Sequence, residues 1–303
     1  MFHLCLFIPY FVLSHLLIKQ MKTINMKTKI KLKLKHGIVT CHCYKTETEN
    51  SPIVIITNGS NGFYNYGMFP FIQEDLYKNG ISSISYNFSH GGVEGDQDYF
   101  TQLDLYEKNC MRLEVEDLYG IITNIYNHPF NFKISQKIIL MAHSLGGIPT
   151  IFAAKRILSE NISVDGIILL ASVSTLDLYS KEILDNWEKD NVWLVKNNRT
   201  NQMLPRGYEF LCEVKNAQTL QWNLKEAIKQ VNTEYLIIHG AKDDSVDIKH
   251  SINIKEWAES NLWPVSFNVI ENATHTFNTK HPFEGETIEL KNMLSVVVNW
   301  IKK

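Results

Sequence analysis

The chain has 303 residues, 45% of them hydrophobic, with 30 basic against 32 acidic side chains and a formal net charge of −2. This length allows one large domain or two small ones, and the apolar fraction excludes a disordered chain. The near-neutral balance offers no basic field for a phosphate backbone, which excludes nucleic acid as the expected partner.

The first eighteen residues, MFHLCLFIPYFVLSHLLI, have the apolar content of a signal h-region or a short membrane anchor. No Lys or Arg precedes them, no small-x-small cleavage site follows, and basic residues cluster from Lys19 to Lys35. If inserted, the segment leaves the following domain in the cytoplasm by the positive-inside rule. The other reading is a mis-called start, with Met21 or Met26 as the first residue. Residues 1–25 are therefore set apart from a domain expected over 26–303. Both readings make that domain cytoplasmic, and membrane contact is expected only if residues 1–18 are retained and insert.

From Met26 onward the pattern is one of alternating elements. KIKLKLK alternates apolar and charged residues like a half-exposed strand, and Gly37 separates it from IVTCHCY, an antiparallel partner. SPIVIIT, GISSISYNF, QKIILMA, VDGIILLA, EYLIIHG and PVSFNVI are short, mostly continuous apolar strands, as a parallel sheet covered on both faces requires. Met111, Val115, Leu118, Ile122 and Ile125 form one helical stripe, and Leu290, Leu294, Val297 and Ile301 form another. Between Ser172 and about Val231 the rhythm breaks into a Trp-, Asn- and charge-rich stretch, read as an insertion over the C-terminal edge of the strands. Cys5, Cys41, Cys43, Cys110 and Cys212 are odd in number and scattered, and CHC at 41–43 lacks zinc spacing, so reduced thiols without a metal role are expected.

MAHSLGG, residues 141–147, falls where a strand gives way to a helix. A nucleophilic serine must stand clear of the sheet on a very tight turn, so the residues two before and two after it must be small; Ala142 and Gly146 are. The following helix N-terminus brings positive dipole and free N–H groups beside Ser144, which suits an oxyanion. Taken alone, the motif also fits a turn or N-cap serine. A serine hydroxyl needs a base and a group to orient that base. LIIHGAKDDSVD ends a buried strand in an acidic loop, and FNVIENATHTFN ends the next in a loop with His275, both at the strand edge that carries Ser144.

TNGSNG after the first parallel strand, YNFSHGGVEGD after the next, AHSLGG, and the pair HGAKDDSV and ATHTF occur in an order that resembles the α/β-hydrolase superfamily. The resemblance covers about Met26 to Lys303 and is to the esterase and serine-aminopeptidase-like branch, often labelled dienelactone-hydrolase-like or cinnamoyl-esterase-like. It implies an α/β-hydrolase fold: a mostly parallel central sheet flanked by helices, an N-terminal antiparallel hairpin and a small cap insertion at about 172–231. By the same resemblance, Ser144 is the nucleophile, His275 the general base, and Asp243 the orienting acid, with Asp244 as its rival. His239, His143 and His281 are the rivals of His275.

The resemblance also implies an oxyanion hole made by the backbone N–H groups of Leu145 and Ser60. Asn58 stands where relatives have His, and SHGG at 89–92 matches a shaping loop, not a lipase HGGG motif. The implied reaction is acyl transfer on a small-molecule ester, or on a peptide, without metal or organic cofactor. Trp187, Trp193, Met203, Tyr208, Phe210 and Trp222 could line an apolar acyl pocket and Arg199 and Arg206 could receive a carboxylate; the other reading is that most of these residues pack the cap against the sheet. The competing readings are a serine peptidase, whose amine anchor would come from Glu182, Asp185, Glu188 or Asp190, and a non-catalytic binding homologue.

Overall fold

A computed structural model describes residues 27–160, 162–217, 219 and 221–303; the apolar segment, Cys5 and the alternative start positions lie outside them. Strand β1 (Lys27–Lys33) pairs antiparallel with β2 (Ile38–Tyr44), Ile30 opposite Cys41. The strand stops at Lys33, two residues before the basic alternation ends, because the Leu34 N–H turns to the Gly37 carbonyl at 2.9 Å. β2 then pairs antiparallel with β4 (Ser82–Asn87), which joins β3 (Ile53–Thr57), β5 (Ile138–His143), β6 (Gly166–Leu170), β9 (Glu234–Gly240) and β10 (Val265–Ile270) in a parallel array. The eight-stranded order is β1-β2-β4-β3-β5-β6-β9-β10.

The continuous apolar runs predict strands buried on both faces, and the side chains divide accordingly. Ile53, Ile55, Ile138, Leu140, Ile167, Leu169, Tyr235 and Ile237 point into one core; the alternate Val54, Ile56, Ile139, Met141, Ile168, Leu170, Leu236 and Ile238 point into the other. The first core takes α3 (Met111–Thr123) and α4 (Gly147–Ile157), together with Ile254 and Ala258 of α8 (Lys249–Glu259). The second takes α1 (Phe69–Lys78) and α9 (Ile288–Ile301). Both helical stripes expected from sequence are buried: Leu118, Ile122 and Ile125 in one layer, Leu290, Leu294, Val297 and Ile301 in the other.

The segment between β6 and β9 forms a cap. It contains α5 (Lys181–Asp190), a separate antiparallel hairpin of β7 (Val192–Asn197) and β8 (Gln202–Gly207), α6 (Tyr208–Lys215) and α7 (Leu224–Ile228). β8 abuts the short helix α2 (Leu103–Glu107) closely enough that a Cβ on Gly207 would lie 2.3 Å from the Glu107 carbonyl oxygen. Among the described residues, no helix is long and apolar enough to cross a membrane.

Candidate active site

Ser144 leaves β5 at φ +56°, in the left-handed region that an L-residue enters only under constraint. A one-turn 3-10 helix (Ser144–Gly146) follows and runs into α4. Gly146 has an ordinary φ of −59°, so space is what requires glycine there: a Cβ would sit 2.4 Å from the Asn58 carbonyl oxygen. A Cβ on Gly59 would likewise meet Ser144 Cβ and the His143 carbonyl at 2.9 Å. The elbow and the loop after β3 interlock on these two glycines.

His275, on the loop after β10, brings Nε2 to 2.9 Å from Ser144 Oγ and Nδ1 to 2.8 Å from Asp243 Oδ2. Asp243 follows β9, and its side chain is 1% exposed. Burial by itself pushes this carboxyl up; hydrogen bonds from His239 and His275, the charge of His275 and the Val246 N–H outweigh it and hold the carboxyl well below the usual carboxylate range. An ionised Asp243 only accepts, so Nδ1 of His275 carries the proton and Nε2 is left to accept from Ser144. The other oxygen, Oδ1, takes the N–H groups of Ser245 and Val246, each at 2.9 Å. Among the described residues, Asp244 accepts from the neighbouring Ser245 hydroxyl, at 3.2 Å, and does not reach His275.

The histidines that rival His275 in the sequence have other partners around the site. His239, fully buried at the end of β9, faces the Val246 carbonyl at 2.9 Å and Asp243 Oδ2 at 3.3 Å with Nε2. Two oxygen acceptors on one nitrogen place its proton there, and Nδ1 accepts the Ser251 hydroxyl at 2.7 Å. His143 donates from Nε2 to the His275 carbonyl at 2.9 Å; burial first, then the neighbouring His275, drives its pKa down to about 3, so it stays neutral. His281 accepts the Gly67 N–H at 3.1 Å and stacks on Tyr66 at 4.5 Å, fixing one wall of the cavity. Motif order singles out Ser144, Asp243 and His275; of the supporting contacts, that of His239 with Asp243 is local, four residues apart, while those of His143 and His281 run across the fold and leave no spacing signal.

The loop after β3 is built around Asn58, whose amide donates to the Gly59 carbonyl at 3.2 Å and the Gly62 carbonyl at 2.9 Å. The residue that departs from the expected His therefore clamps the loop from within. Ser60 N–H donates to no protein acceptor among the described residues. The 3-10 turn starts with a bond from the Gly147 N–H to the Ser144 carbonyl, which leaves the Leu145 N–H out of it.

A cavity of about 130 Å³ opens in front of Ser144 and His275, walled by Gly59, Ser60, Tyr66, Phe69, Arg199 and Thr276. Of the cap residues named from sequence, only Arg199 lines it. Trp187, Phe210 and Trp222 are buried against the main core, and Trp193 packs beside Trp187 and Tyr179. Met203 and Tyr208 are exposed. Arg206 is buried and already engaged, over the Phe210 ring and on Ser60 and Asn61. Glu182, Asp185, Glu188 and Asp190 lie on the exposed side of α5, away from the cavity. Tyr66 and Phe69 carry no catalytic signature in sequence; the aromatic density of NGFYNYGMFPF is the one feature that marks this wall.

No protein-family model matches the chain, and no curated protein matches it by sequence. Solved structures do. Est1E from Butyrivibrio proteoclasticus superimposes with a TM-score of 0.61 at 12% identity over 90% of this chain and 97% of its own. A putative hydrolase from Agrobacterium vitis gives 0.68 at 11%, over 91% and 99%. A dienelactone hydrolase from Anabaena variabilis gives 0.59 at 13%, over 91% and 96%. The chain has the α/β-hydrolase fold. Within it, Ser144, His275 and Asp243 form one hydrogen-bonded line at the C-terminal edge of the parallel strands.

Proposed function

We propose that the protein is a serine hydrolase that cleaves carboxylic esters of small or medium acyl groups through an acyl-enzyme. Ser144 Oγ attacks the ester carbonyl as His275 Nε2 takes its proton, and the N–H groups of Ser60 and Leu145 hold the oxyanion. His275 then gives that proton to the departing alcohol. Water, activated by the same nitrogen, releases the acid and restores Ser144. Ionised Asp243 keeps Nδ1 protonated throughout and stabilises the imidazolium as it forms.

The observation that carries this reading is the unbroken contact from Ser144 Oγ through His275 to a buried carboxylate, 2.9 and 2.8 Å, opening on a cavity. Among the described residues, the cavity wall holds Arg199 and no carboxylate side chain. Such a wall suits a substrate with a carboxylate on its acyl or leaving group, and offers nothing to anchor the α-amine of an aminopeptidase substrate.

Turnover of p-nitrophenyl acetate, butyrate and hexanoate, set beside aminoacyl p-nitroanilides, tests the proposal. The expected result is ester hydrolysis that exceeds anilide hydrolysis and falls by on the order of 10⁴ or more in Ser144→Ala. Anilide turnover equal to or above ester turnover would assign the protein to the peptidases instead.

A further inference from the structure

Arg206 is a cation 8% exposed, carried on cap strand β8 and directed at the loop after β3. Its Nη2 donates to Ser60 Oγ and, at 3.2 Å, to Asn61 Oδ1. The same Asn61 oxygen accepts the Tyr106 hydroxyl, and Asn61 itself stands at φ +59°. Behind the loop, Leu204 of β8 packs with Phe63, Phe100 and Tyr106 in a small separate core. Gln202 at the start of β8 exchanges two hydrogen bonds with the Phe100 backbone, at 2.9 and 2.7 Å. A buried guanidinium has few rotamers and strong, directional hydrogen bonds, so it holds its acceptors more firmly than a surface side chain would.

Given the hydrolase reading above, on which this rests, we propose that Arg206 is a positioning residue through which the cap sets the Ser60 N–H in the oxyanion hole. The cap in this protein is thus part of the catalytic frame as well as a cover. Loss of Arg206 leaves the loop held by Asn58, Tyr106 and its packing on the elbow, but without a tether on the Ser60 side chain, and lets the Ser60 N–H drift from the oxyanion. Misplacement of such a donor acts on the transition state, so it lowers kcat and leaves KM nearly alone.

The test is the kinetics of Arg206→Met, Arg206→Lys, Ser60→Ala and the Arg206→Met/Ser60→Ala double variant on p-nitrophenyl butyrate. Circular dichroism and thermal melts accompany the kinetics, and the rate of fluorophosphonate labelling gives a second readout. Arg206→Met is expected to lower kcat by about 10- to 100-fold, less than outright removal of an oxyanion donor, with KM within about threefold. Lysine, which still donates to Ser60 Oγ, is expected to restore part of the loss. Ser60→Ala keeps the backbone N–H but removes the anchor; it is expected to lower kcat too, and the double variant to be no worse than Arg206→Met alone.

A folded Arg206→Met with kcat within twofold of wild type, a loss confined to KM, or additive losses in the double variant would each overturn the proposal while the hydrolase reading stands. If Arg206→Met does not fold, Ser60→Ala decides, and an unchanged kcat overturns the proposal. A wild type inert to both ester and probe would remove the hydrolase reading and this proposal with it.

Discussion

Ser144 holds a left-handed backbone because its surroundings leave it no other, with Gly146 against the Asn58 carbonyl on one side and Gly59 against Ser144 Cβ on the other. That requirement for small neighbours is why the serine can be picked out from AHSLGG; Asp243 and His275 are marked instead by the loops that end the later strands and by motif order. His143 and His239 are different. They stand inside the AHSLGG and HGAKDDSV motifs, which give them no role; the fold shows one bonded to the His275 carbonyl and the other beside Asp243. Arg199 also acquires meaning only from its place: on the cavity wall, over the Tyr66 ring at 5.2 Å, with no acidic residue among the described residues lining the cavity beside it. If it binds a substrate carboxylate, the ratio of kcat/KM for a p-nitrophenyl hemisuccinate to that for p-nitrophenyl butyrate should fall by about tenfold in Arg199→Met. That factor is what one charge-assisted hydrogen bond of about 1.5 kcal/mol supplies. An unchanged ratio would remove Arg199 from substrate recognition.

Among elements, the parallel strands were readable because each is a short apolar run, and α3 and α9 because their stripes are regular. The cap was readable only as an interruption. Its β7 strand is mostly exposed or half-buried, β8 buries Leu204 and Arg206, and Trp187, Phe210 and Trp222 turn to the core, where no local period records them. One cap contact serves the core directly. Cys110, the residue preceding α3, makes no side-chain cap bond; Glu213 of α6 accepts the Met111 N–H at 2.6 Å and the Arg112 N–H at 3.1 Å instead. Glu213→Ala should leave those two donors unpaired and cost about 1–2 kcal/mol of stability, as loss of a helix N-cap does. Urea denaturation followed by circular dichroism checks this. A midpoint equal to wild type would show that the helix end finds other partners.

For the whole molecule, buried titratable groups set an optimum in stability. Burial lowers His42 to about 4 and His143 to about 3, so their contribution is present above the ordinary value of 6.5 and is lost as pH falls. Asp243, held low in the fold, adds to the loss at still more acidic pH. Burial raises Glu213 to about 7 and Glu114 to about 8, so their contribution is full below about 4.3 and is lost as pH rises through those values. Between pH 6.5 and 8.5 the histidine contribution is already in place and the carboxyl contribution is falling. The urea midpoint should therefore decline across that window, and Glu114→Gln should flatten the decline; an equally steep fall in that variant would contradict the assignment. At this scale the near-neutral charge gave no reason to expect a nucleic-acid surface, and the resemblance supplied the fold, while the cap's bonds to the loop after β3 run through space and leave no trace in the sequence. The central claim is that Ser144 is an activated nucleophile, and the most direct measurement is covalent labelling by a fluorophosphonate in wild type, Ser144→Ala and His275→Ala. The account predicts stoichiometric labelling at Ser144 in the wild type and none, or a rate lower by on the order of 10³ or more, in the two variants. A folded wild type that takes no label, or a Ser144→Ala that labels as well as wild type, would contradict it.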